Sequence, residues 1–370
     1  MDLIWDMETG DPDDFLTLLL LLGHPRVNLV AVTITPGTPD QVGVVRRALE
    51  WFGRSIPVGA FDLDHQTRSA PGAGRHGRRG MCVSSWHYNA FGDMPPSRDA
   101  VPGPELLHAL CGPTTTLVTG GPLKNLGGAI SRPGFRLGQL VVQGGFAGEG
   151  VVPRDRQLEK FRGMTTCPTY NLNGDPKAAE DVLACSAISS KRFVSKNVCH
   201  GVVYDDALHA QIAALKERST SLGLIWRGME TYLNAHVSRR IRSRNTAIAS
   251  SEVRLAGADG RLELIATADA IARAASSGLD LVAVTDDRPP VCRAMARLQT
   301  PESPDERGKK FHDPLAACCA IDSSIGEWAE VELYRERGEW GSRLAPGSGI
   351  HIIVGYDRAK FIATLTEHVD

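Results

Sequence analysis

The chain has 370 residues, 42% hydrophobic and 23% charged, with a formal net charge of −2. That length allows one large domain or two ordinary ones. The near-neutral balance gives no electrostatic basis for general binding to nucleic acid or to a membrane surface. Eight cysteines occur without any CxxC spacing, so no zinc or thioredoxin-like site is signalled, and a reducing compartment, the cytoplasm, is expected.

In chain order, "DLIW" reads as a short strand ending at Asp6. No basic segment of a signal peptide precedes it. The acidic loop "DMETGDPDD" follows, then a helix from about Asp13 to Gly23, stopped by "GHP". The apolar run around Leu18 to Leu22 is too short to cross a bilayer. "VNLVAVTIT" is a β-branched run suited to a strand buried on both faces. A strand–loop–helix–strand unit favours a parallel sheet. "IPVGAF", "TTTLVTGG", "QLVVQGG" and "KRFVSKNV" read as further strands, with "DPKAAEDVLAC" and "ALHAQIAALKERS" as helices between them. The expected fold class is therefore α/β, an open and mostly parallel sheet with flanking helices, over residues 1–244 and 301–370.

Two stretches break the rhythm. "RSAPGAGRHGRRGMCVSSW" has the composition of a mobile loop. Residues 245–300 read as a small inserted α+β module: strand "SEVRLAG", turn "ADG", strand "RLELIAT", helix "ADAIARAASS", strand "LDLVAVT" and turn "DDRPP". The charged, proline-containing linker "TPESPDERGKK" then returns the chain to the main domain.

The opening loop carries the chemistry. Asp6, Glu8, Asp11, Asp13 and Asp14 put five acids in nine positions. They fall where open α/β sheets bind ligands, beyond the carboxyl ends of the strands. Helix capping explains one or two of them. The rest repel one another unless a cation is present, and oxygen-only ligands favour calcium or magnesium over zinc.

The motif "DMETGDPDD" resembles the opening DxDxGxDD motif of the inosine–uridine-preferring nucleoside hydrolase family. "TYNLNGDPKAA", "FHDPLAA", "VTGGPLKNL" and "VVQGG" are similar to four further family segments, in the family's order. The resemblance implies a calcium-dependent N-glycosidase that cleaves a nucleoside-like substrate into ribose and free base. By position, Asp14 and Asp313 would hold the metal, with the backbone carbonyl of Lys124. Glu8 would both touch the metal and act as general base, and Asp13 and Asn171 would grip the ribose. His312 either faces the leaving base or merely positions Asp313. Family members form dimers or tetramers, so a homo-oligomer is implied.

The chain also departs from the family pattern. Glu replaces Asp at the base position, and the loop is one residue longer, so Asp6 or Asp11 could take the metal instead. Thr38 and Thr169 stand at substrate-binding positions where the family has asparagine and glutamate. Gly163 stands where another sugar-binding asparagine is common. These changes imply a modified or phosphorylated substrate rather than a simple nucleoside. The insert resembles the N-terminal domain of bacterial translation initiation factor three, most specifically at "PPVCR" (Pro289 to Arg293). That implies either an RNA or protein contact, or a recruited fold serving as a lid or oligomer contact. The insert has six arginines and seven acids, a poor phosphate-binding balance. The alternative to an enzyme is a non-catalytic, RNA- or ribosome-associated protein that keeps the metal as a structural staple.

Overall fold

The computed structural model describes residues 1–64, 82–240, 245–256, 262–277, 279–283, 289–296 and 308–368. The chain divides into two compact units, residues 1–231 with 308–370 and residues 232–307. The strands of the first unit up to the module are β1 (Asp2–Met7), β2 (Asn28–Ile34), β3 (Val58–Ala60), β4 (Val101–Pro102), β5 (Thr116–Thr119), β6 (Leu137–Gln143), β7 (Thr166–Cys167), β8 (Ile188–Val194) and β9 (Val203–Tyr204). The module contributes β10 (Glu252–Ala256), β11 (Leu262–Ala266), β12 (Leu279–Ala283) and β13 (Val291–Ala296). The first unit resumes with β14 (Lys309–Lys310), β15 (Gly326–Glu336), β16 (Glu339–Leu344) and β17 (Ile350–Tyr356).

Eleven strands make one sheet in the order β4-β3-β2-β1-β5-β6-β8-β17-β15-β16-β7. Pairing is parallel from β4 to β17 and antiparallel from there to β7. The expected open, mostly parallel α/β sheet is thus present. Its centre is buried on both faces: Leu3, Ile4, Trp5, Leu117 and Val118 have no exposed surface, which explains why β1 and β5 read as continuous apolar runs. The antiparallel edge has no counterpart in the sequence reading.

Two helices matter most for the site. Pro12–Gly23 opens with proline in its first turn and is buried along nearly its whole length. His312–Ile321 buries a run of small residues, Ala316, Ala317, Cys318 and Cys319. These helices pack against each other, and each begins at the carboxyl edge of the sheet's centre. Trp86 and His87, in the helix Ser85–Phe91, are core residues; Trp86 Nε1 donates to the carbonyl of Gly228 at 2.9 Å. The glycine- and arginine-rich stretch read as a loop falls largely on residues 65–81, outside the described residues.

The second unit has its own four-stranded sheet, in the order β11-β10-β13-β12. The helix Thr267–Ser276 covers it, around a core that includes Val253, Ala270, Leu281 and Cys292. The strand Val291–Ala296 was not anticipated. The turns read at "ADG" and "DDRPP" lie mostly outside the described residues. Among the described residues, no helix is long and apolar enough to cross a membrane.

Candidate active site

A cavity of about 390 Å³ opens at the carboxyl edge of the sheet. Glu8, Asp11, Asp13, Asp14, Asn171, His312 and Asp313 all line it. The acidic loop leaves β1 directly into this cavity. One carboxylate oxygen from each of Asp13, Asp14 and Asp313 lies within 4.8 Å of the others. All three residues are buried.

Capping of their own helix does not account for these acids. Asp11 sits at the N-cap of Pro12–Gly23 but makes no side-chain cap bond. Asp13 instead caps the other helix: its Oδ2 accepts the backbone N–H of His312 at 3.0 Å and of Asp313 at 3.4 Å. Those are among the N–H groups that a helix start leaves unsatisfied. The Glu8 backbone N–H donates to Asp14 Oδ1 at 3.1 Å, which closes the loop on itself.

Burial, and then the neighbouring Asp313 and Glu8, push the Asp14 carboxyl well above the ordinary range. Burial followed by Asp13 does the same to Asp313. Burial also raises Glu8 to about 7, against a lowering hydrogen bond from Tyr170. A buried carboxylate cluster with pKa values raised in this way favours a cation. Asp313 Oδ1 and Asn171 Oδ1 are buried without hydrogen-bond donors. The all-oxygen donor set and the unsatisfied Asp313 oxygen fit a hard divalent ion.

Lys309, which carries no motif signal, supplies one positive charge. Its Nζ lies 2.8 Å from Asp11 Oδ1 and 3.0 Å from Asp13 Oδ1, and donates to its neighbour's carbonyl at 2.9 Å. Burial would lower this ammonium, but Asp13 and Asp11 outweigh that and hold it above the usual lysine value. Burial would likewise raise Asp13, yet Lys309 keeps it below the usual carboxylate range.

Of the rival acids, Asp6 does not line the cavity. It is fully buried and accepts from Thr33 Oγ1 at 2.6 Å and Asn125 Nδ2 at 2.8 Å. Asp11 lines the cavity but is paired with Lys309. Three other expected residues stand apart from it. The Thr38 hydroxyl caps the helix Pro39–Trp51 in a capping box with Gln41, and Gln41 reaches the cavity in its place. Thr169 is buried at the cap of a short helix. Lys124 opens the helix Lys124–Ile130, while Gly120 of the same turn lines the cavity. A Cβ on Gly120 would lie 2.5 Å from the Trp5 ring and 2.7 Å from Asp313 Oδ1, so only glycine fits there.

Asn171 Nδ2 donates to the carbonyls of Gly120 and Gln143, both at 2.9 Å, which fixes the amide at the cavity wall. Tyr170, 71% exposed, stands at the cavity and bonds Glu8. The His312 ring is mostly buried, and burial pulls it down to about 4. It stacks on His200 with ring centroids 4.6 Å apart. Gln143, from the stretch "VVQGG", also lines the cavity, as do Thr35, Gln41 and Cys82, which carry no motif.

Fold and cavity together define an α/β protein with a buried, metal-fitting carboxylate site. The sequence profile of the inosine-uridine preferring nucleoside hydrolase family matches residues 3–363, and the chain belongs to that family. It is 30% identical over 191 residues to the pyrimidine-specific ribonucleoside hydrolase RihA of Shewanella sp. (strain MR-4), covering 49% of this chain and 54% of that protein. An uncharacterized protein of Aquifex aeolicus is 29% identical over 182 residues, covering 48% of this chain and 57% of that protein. The chain thus spans about half the length of the curated relatives it matches. A purine-preferring ribonucleoside hydrolase from Gardnerella vaginalis shares the fold at a TM-score of 0.60 and 14% identity, over 99% of this chain and 97% of that one. The inosine-uridine preferring nucleoside hydrolase from Bacillus anthracis does so at 0.56 and 14%, over 99% and 98%.

Proposed function

We propose that this protein is a calcium-dependent N-ribosyl hydrolase, releasing ribose and a free base from a nucleoside-like substrate. The observation that carries this reading is the convergence of Asp13, Asp14 and Asp313 in one cavity with Glu8 and Asn171. Asp14 and Asp313 are the ligands assigned to the ion, which would supply charge neutralisation and Lewis acidity toward a water. Glu8, raised to about 7, is suited to take that water's proton near neutral pH. Asp13, held ionised by Lys309, offers an acceptor to a ribose hydroxyl. The donor-less Oδ1 of Asn171 offers a second. Both acceptors are fixed before substrate arrives, so binding costs them little reordering. Negative carboxylates around the sugar stabilise the positive charge that develops as the C–N bond breaks.

The departures at Thr38, Thr169 and Gly163 support a substrate other than a simple nucleoside. The resemblance of the inserted module to the initiation factor domain supports a role in choosing that substrate, through an RNA or protein contact. Eight unpaired cysteines agree with a reducing, cytoplasmic setting, and a homo-oligomer follows the family habit. The deciding assay measures ribose released from a panel of N-ribosides in calcium and in chelator. Glu8→Gln should lower turnover by about 10²–10⁴-fold, the usual share of a general base. Calcium-loaded protein that releases no ribose from any N-riboside sinks the reading.

A further inference from the structure

Behind His312 lies a second charged cluster, of opposite sign, that the proposed chemistry does not use. Lys160, in the turn Glu159–Phe161, places Nζ 2.7 Å from His200 Nδ1. The same ammonium stands 5.0 Å from the centroid of the Phe161 ring, and Lys196 Nζ stands 5.9 Å from it. Lys310 is near enough to Lys160 to lower its pKa electrostatically. Successive residues of a strand face opposite ways. Thus Lys309 serves the carboxylates while Lys310 joins the lysines.

Lys177 pairs with Asp181, and Lys309 with Asp11 and Asp13. Among the described residues, none of Lys160, Lys196 and Lys310 forms an ion pair. Burial, and then Lys310 and Lys196, bring Lys160 down to about 8. Burial and the surrounding positive groups drive His200 to about 2. An uncompensated group of ammoniums focuses anions from solution, and lysine is a common ligand of phosphate and carboxylate oxygens. His312 joins the two clusters: its backbone N–H bonds Asp13, and its ring stacks on His200.

We propose that Lys160, Lys196 and Lys310 form an oxyanion subsite beside His312 that selects a substrate carrying a carboxylate or a phosphate. This rests on the N-ribosyl hydrolase reading. It names the chemical class of substrate that the altered sugar-binding positions leave open.

Kinetics with uridine, uridine 5′-monophosphate and 6-carboxyuridine test it, with phosphate titration by calorimetry alongside. The wild-type protein should show a kcat/KM at least tenfold higher for one anionic substrate than for uridine. Which of the two is preferred tells whether the subsite takes a phosphate on the sugar or a carboxylate on the base. In the K160M/K310M double variant that ratio should fall at least tenfold, and K160R/K310R should keep it. A ratio unchanged in K160M/K310M, or a wild-type preference for uridine, overturns the proposal. Should no N-riboside be cleaved, the hydrolase reading fails by itself, and the phosphate titration decides the subsite. Binding weakened at least tenfold in K160M/K310M sustains it, and no difference or no binding overturns it.

Discussion

Replacing Lys309 by methionine removes the ammonium that reaches Asp11 and Asp13 while keeping most of the side chain's volume. Asp11 is about half exposed, so it rehydrates and loses little, as surface ion pairs do. Asp13 is 2% exposed and cannot. Stranding one partner of a buried pair costs about 3–5 kcal/mol. Asp13 keeps the N–H groups of His312 and Asp313, which places the expected loss near the lower bound, about 3 kcal/mol. Urea unfolding followed by tryptophan fluorescence reads this directly. All six tryptophans belong to the main unit, so the signal is free of the inserted module. The loss should appear in chelator and shrink in excess calcium, because a cation neutralises the charge that the variant leaves stranded on Asp13 and so binds the folded variant more tightly than the folded wild type. Equal unfolding midpoints for K309M and wild type in chelator would refute the reasoning. So would a loss that calcium does nothing to relieve.

Three further outcomes are expected. Saturating calcium should raise the melting temperature of the wild-type protein by about 10 °C over chelator, measured by differential scanning fluorimetry. Gly120→Ala should cost about 1–3 kcal/mol through overpacking against Trp5, and weaken calcium binding through Asp313, as seen by denaturation and metal titration. His87 is fully buried, and burial lowers it from 6.5 to about 4. Above pH 6.5 it has no effect on stability; as pH falls toward 4 the unfolded chain binds a proton that the folded one refuses. That costs about 3 kcal/mol by pH 4, and the His87→Phe variant should show a flatter stability profile over this window in parallel denaturation curves.

The central strands and the site acids were legible because their signals are local. β1 and β2 are built on the apolar runs Leu3–Trp5 and Leu29–Val32, and the acids from Asp6 on have a density that helix capping alone cannot absorb. Asn171, His312 and Asp313 carried recognisable neighbours. Lys309 did not: it ends a charged linker and reads as solvated surface, and only the fold brings it to Asp13. Gln41 was hidden for a similar reason, since a glutamine in the first turn of a helix looks like an ordinary capping partner, which it also is. Thr38 misled because sequence shows the position but not the direction of its hydroxyl. The antiparallel edge went unread because β15, "GEWAEVELYRE", mixes charge with apolar residues and buries only Val331 and Leu333 fully. The lysine cluster around His200 draws on three distant segments and has no sequence signature at all.

The pairing of Asp13 with Lys309 spans 296 residues of chain. At a ribosomal pace of about 5–20 residues per second, the acidic loop waits roughly 15–60 s for its counter-charge. The inserted module is made in the last part of that wait, and until it ends the carboxylates have only solvent cations to quiet them. Closing the active site is therefore a late event in the protein's own birth. A chain cut short anywhere before Lys309 is left with acids that lack their buried counter-charge.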